Sequence, residues 1–73
     1  ESLEYKELQE RVEKTIQNFP ERRQRIFRMH RFEGKKYTEI SAELALSVKT
    51  IEAEMTKALQ TLRKEIDLYI HTR

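Results

Sequence analysis

Apolar residues recur along this chain with the three-to-four spacing of amphipathic helices, in four stretches divided by short polar breaks. Leu3, Leu8, Val12, Ile16 and Phe19 place one stripe on a helix of about residues 3–17, with acids and bases interleaved on its other face. Ile26, Phe27 and Met29, with His30 at the boundary, mark a second helix over about residues 20–32. Most of its remaining surface is arginine: Arg22, Arg23, Arg25, Arg28 and Arg31. Tyr37, Ile40 and Leu44 predict a short third helix, roughly 37–44, and Val48, Ile51, Met55, Leu59 and Leu62 a fourth. That last pattern runs on through Ile66 towards Tyr69 and Ile70 without a breaker, so the helix is expected over about 48–70.

The breaks fit this reading. Pro20 is tolerated only in a first helical turn, so Asn18 or Phe19 is the expected cap, with Glu21 suited to the positive helix end. Gly34, the only glycine, sits where the second helix needs a left-handed residue to close. Ala45-Leu46-Ser47 is too short for anything but a sharp turn, and the Ser47 hydroxyl can cap the helix that follows. The expected fold is all-α: residues 1–73 as one four-helix domain containing a helix-turn-helix, without winged elements, repeats or linkers.

Composition narrows the chemistry. With 73 residues and no cysteine, net stability of ~3–5 kcal/mol must come from helix packing alone. His30 and His71 are too far apart for a local metal motif, and His30 reads as a satisfied boundary histidine. No cysteine nucleophile, phosphate-cradling glycine loop or His/carboxylate grouping is present, so neither an enzyme, a metal, a cofactor nor a small-molecule substrate is expected. No apolar run reaches the ~18–20 residues of a membrane span and nothing resembles a signal peptide, which is compatible with a reducing, cytoplasmic setting. A start at Glu1 suggests a domain excised from a larger parent. The net charge of +2 is modest but uneven: residues 1–19 hold five acids and three bases, residues 20–36 two acids and seven bases, and residues 37–73 six acids and five bases. The positive field lies just before the helix-turn-helix.

At about 100° per residue from Val48, the apolar residues of the last helix, with Ala58, fall in an arc centred near 340°. The opposite face holds Lys49, Thr50, Ala53, Thr56, Lys57, Gln60 and Lys64, while Glu52 and Glu54 lie on the flanks. A phosphate-lined groove repels carboxylates, so this segregation points to a DNA reader. Lys49, Thr50, Glu52 and Ala53 occupy the first two turns, which reach base edges when a recognition helix enters the major groove. Lys49 would donate to guanine, Thr50 or Ala53 would touch a thymine methyl, and Glu52 would accept from cytosine N4. Lys57 and Lys64 are expected on phosphates, with Arg22, Arg23 and the Ser47 hydroxyl. The plainer reading of Glu52 and Glu54 is solvated helix charge, and of Glu39 and Glu43 helix electrostatics.

The stretch FPERRQRIFRMHRFEGKKYTEISAELALSVKTIEAEMTKALQTLR, Phe19 to Arg63, resembles region 4 of bacterial RNA polymerase sigma factors of the extracytoplasmic-function type. An "LPER" start, an "F-x-G-x-S/T-Y-x-E-I-A" junction and an "S-V-x-T-V" helix entry recur in that family in this order and spacing. The resemblance implies binding of the promoter −35 element by the last helix, and docking on the flap-tip helix of the polymerase β subunit through an apolar groove. It also implies an anti-sigma factor as a further partner, and the bacterial nucleoid as the place of action. Three positions depart from the family pattern: Ser41 stands for alanine, Ala45 for the turn glycine, and Glu52 for a basic residue. Because alanine at positive φ is strained by ~1 kcal/mol, a turn that is not left-handed is expected at Ala45.

Two other readings fit parts of the pattern. The effector domain of a two-component response regulator shares the four-helix layout and the "S-x-K-T-V" entry, whereas the arginine-rich second helix and "RFEG" favour sigma. A helical protein-interaction domain that never touches DNA would explain the apolar stripes alone. Tyr5, Phe32, Tyr69 and Ile70 leave the oligomeric state open, since they could cover one another or meet a partner.

Overall fold

The computed structural model describes the backbone of residues 2–71 and the side chains of residues 5–71, which leaves Leu3 of the first stripe outside the described side chains. Its elements are α1 (Ser2–Gln17), α2 (Glu21–Arg31), α3 (Tyr37–Leu44) and α4 (Val48–His71), with no strand among the described residues. The all-α, four-helix expectation holds, and the helix ends fall within one residue of those read from the periodicity. α4, at ~1.5 Å per residue about 36 Å long, is the spine against which α1, α2 and α3 all pack. The molecule is accordingly elongated, 41 × 19 × 17 Å.

Each helix delivers one fully buried isoleucine to the centre: Ile16, Ile26, Ile40 and Ile51. Phe19, Phe27, Met29, Met55, Ala58 and Leu62 fill the space around them, with Phe19 and Phe27 edge to face at 6.0 Å between ring centroids. Three positions of α4 differ from expectation. Leu59 is 45% exposed, Val48 is half-buried, and Glu54 is buried instead of solvated. All three follow from one rotation. The buried positions Ile51, Glu54, Met55, Ala58 and Leu62 centre roughly 40° closer to Glu54 than the apolar residues alone imply.

The connections carry further corrections. Pro20 itself, at φ −53° and ψ 147°, is the N-cap residue of α2, instead of Asn18 or Phe19. Its missing N–H is no loss at a helix start, and its carbonyl accepts the Gln24 N–H at 2.9 Å. Gly34 follows α2 at φ 73°, as expected. Ala45 is left-handed (φ 57°, ψ 42°), against the expectation of another kind of turn. The hydrogen bonds explain why. The N–H groups of Ala45 and Leu46 both bond to the Ser41 carbonyl, the latter at 3.1 Å, a helix closure that places its left-handed residue at Ala45. The Ser41 hydroxyl donates to the Leu46 carbonyl, and Leu46 packs against the core. Two of the three departures from that pattern therefore meet in one turn, the serine bracing an alanine that lacks glycine's freedom.

Ala45→Gly should relieve the left-handed strain at the cost of a more flexible unfolded chain, a net gain of about 0.5–1 kcal/mol. The expected rise in Tm is roughly 2–8 °C by circular dichroism. An unchanged or lowered Tm would show that the surrounding bonds already relieve the alanine.

Candidate nucleic-acid interface

The α3–turn–α4 unit sets the entry of α4. The Ser47 hydroxyl accepts the Thr50 N–H at 3.1 Å and lies 2.9 Å from the Thr50 hydroxyl, so Ser47 is the N-cap and ties Thr50 to it. Lys49, Glu52, Ala53, Thr56, Lys57, Gln60 and Lys64 are exposed, and Thr50 is half-buried. Lys49, Lys57 and Lys64 have no ion-pair partner among the described residues, so their charge is uncompensated within the fold.

Glu54, on the neighbouring face, is the buried charged residue of the core region. Its Oε1 accepts from Arg23 Nε at 2.8 Å, and its Oε2 from Arg22 Nε at 3.0 Å and Nη2 at 2.8 Å. The Arg23 bond, helped by Arg22, holds the carboxyl below the usual carboxylate range despite its burial. Arg22 and Arg23 are thus engaged by a carboxylate, a partner that the reading of both as phosphate contacts did not include. Arg28 is also occupied: it donates to Glu13 at 2.7 Å and lies over the Phe32 ring. Of the five α2 arginines, Arg25 and Arg31 remain exposed without an ion pair among the described residues, and Arg25 lies beside Arg22, Leu44 and Leu46 at the α3–α4 turn.

A second surface opens on another side of α4. Val12, Ile16, Phe27, Phe32, Leu59, Leu62 and Ile66 line an apolar groove between α1, the end of α2 and α4, with Arg31, Arg63 and Asp67 on its rim. Phe32 is 63% exposed and meets Phe27 edge to face at 6.3 Å. Elsewhere α1 and α4 are joined by polar contacts, Arg11 to Glu65 at 3.2 Å and the Tyr69 hydroxyl donating to Glu7 at 3.2 Å.

With this geometry in place, the family model described as Sigma-70, region 4 matches residues 9–62, most of the chain. The chain belongs to that family. No curated protein matches it. Sigma-70 region 4 is a DNA-binding and not a catalytic family; it binds promoter DNA and RNA polymerase in transcription initiation. Here the helix-turn-helix is α3–Ala45–α4, preceded by the arginine-bearing α2. Among the described residues no helix is long and apolar enough to cross a membrane, and no group of His, Asp or Glu could hold a metal ion.

The other boundary residues of this region 4 chain have structural partners. His30 Nδ1 is 3.0 Å from the Lys35 carbonyl oxygen, and its ring centroid lies 4.9 Å from that of Tyr37, which satisfies it at the junction before α3. Glu39 accepts the Lys36 N–H at 2.7 Å, and Glu43 takes Lys35 at 2.7 Å. Lys35 is correspondingly held above its ordinary pKa, chiefly by Glu43. Two residues escaped sequence reasoning. Arg25 was one of five similar arginines, and only the position of the turn singles it out. Glu54 did carry a signal: it lies about 40° from Ala58 on the helical wheel, closer to the buried arc than to Lys49.

Proposed function

We propose that this domain reads the −35 element of a promoter through α4 as the C-terminal domain of an extracytoplasmic-function-type sigma factor, and docks on the flap-tip helix of the polymerase β subunit through the apolar groove. The observation that carries the reading is the exposed stripe Lys49–Ala53–Lys57, whose lysines have no ion pair among the described residues and from which one flanking carboxylate, Glu54, is drawn away by Arg22 and Arg23. Lys49, Thr50, Glu52 and Ala53 meet base edges: Lys49 donates to guanine, the Ala53 or Thr50 methyl meets thymine, and Glu52 accepts from cytosine N4. Phosphates are met by Lys57 and Lys64, by Arg22 and Arg25, and at the Ser47 cap. An anti-sigma factor competes with polymerase for the groove, and the domain acts at the bacterial nucleoid.

In vitro selection of duplexes by this chain tests the assignment. An enriched motif is expected whose affinity falls with salt at a slope of about −0.9 per neutralised phosphate. Glu52→Lys should change the preferred base opposite its turn, with about 1–3 kcal/mol of discrimination at that position. The same motif from both proteins would remove Glu52 from the reading face, and binding indifferent to salt would leave a protein-interaction domain.

A further inference from the structure

We propose that Glu54 is a positioning residue for DNA binding: it withholds Arg23 from the phosphate backbone and leaves Arg22 as the one member of the pair that meets it. This rests on the DNA reading above and assigns a division of labour within it. The three side chains carry a net charge of +1, shared unequally. Arg23 gives its Nε to Oε1 and its side chain is only 20% exposed. Arg22 gives Nε and Nη2 to Oε2, yet its side chain is 56% exposed, so the outer edge of its guanidinium faces away from the carboxylate.

The Glu54 side chain is 9% exposed, so water does little to screen or replace its partners. A phosphate that captured Arg23 would leave a nearly dry carboxylate with a single cation. One that met the outer edge of Arg22 would disturb neither bond. The arrangement also explains how a glutamate sits one turn from Thr50 and Ala58, at the border of a surface that faces polyanion: it is neutralised before DNA arrives.

The salt dependence of binding to a short, mixed-sequence labelled duplex, followed by fluorescence anisotropy between about 50 and 200 mM salt, counts these contacts. Arg22→Gln should lower the magnitude of the slope by about 0.9 and Arg23→Gln should leave it unchanged. Glu54→Gln, which frees Arg23, should raise it by about 0.9, and Glu54→Gln with Arg23→Gln should not. A clamp with no part in binding would lower Tm in these variants and leave every slope alone, which overturns the proposal. A loss of about 0.9 on Arg23→Gln also overturns it. Should Glu54→Gln fail to fold, the two arginine variants, each retaining one partner for Glu54, decide the matter. A wild-type chain whose binding ignores salt overturns the DNA reading and this inference together; wild-type slopes with the wrong variant pattern overturn this inference alone.

Discussion

Ile51→Ala is expected to remove most of the chain's stability. Ile51 is fully buried on α4, the helix that all three others pack against. Cutting a buried isoleucine to alanine costs roughly 2–5 kcal/mol, because lost burial is joined by a cavity that the neighbours close only in part. A chain of this size has about 3–5 kcal/mol in total. Thermal circular dichroism should therefore show Tm lower by about 10 °C or more, or no cooperative transition at all. Leu59→Ala, on the same helix but 45% exposed, should cost under ~1 kcal/mol. Equal losses at the two sites would contradict the rotated packing of α4, since the apolar spacing alone gives both positions the same standing.

That comparison marks where the sequence stops being sufficient. The helices are legible because each has an apolar stripe and several of the breaks carry a residue with a specific backbone need: proline before α2, glycine after it, serine before α4. The packing angle of α4 was not. It depends on a polar event, the burial of Glu54 beneath two arginines more than thirty residues earlier in the chain, and no local pattern reports a pairing at that separation. The Ala45 turn eludes the sequence for a related reason. The strain of an alanine at positive φ follows from residue type, but the Ser41 hydroxyl and carbonyl bonds that oppose it exist only in the folded turn. Of the residues proposed to face DNA, Lys49, Ala53 and Lys57 are exposed as the periodicity predicts, since an exposed helix face follows directly from it.

The largest effect expected on a partner comes from the groove. Leu59→Asp should weaken capture of the isolated polymerase flap domain by at least ~2 kcal/mol, about 30-fold, because a carboxylate placed among Ile16, Phe32 and Leu62 must be desolvated when an apolar helix seats there. Phe32→Ala should act in the same direction. Its ring is 63% exposed, so the loss would be mainly one of contact area. Titration calorimetry with the flap domain measures both, and affinities equal to wild type would remove the groove from polymerase docking. Duplex binding supplies the control. Leu59 lies roughly 160° around α4 from Lys57, so neither variant should alter the DNA slope. On the proposed assignment the same geometry would let one helix serve two clients at once: were DNA on the Lys49–Lys57 side and polymerase on the Leu59 side, occupation of one face would leave the other free, as bridging a promoter to its polymerase requires.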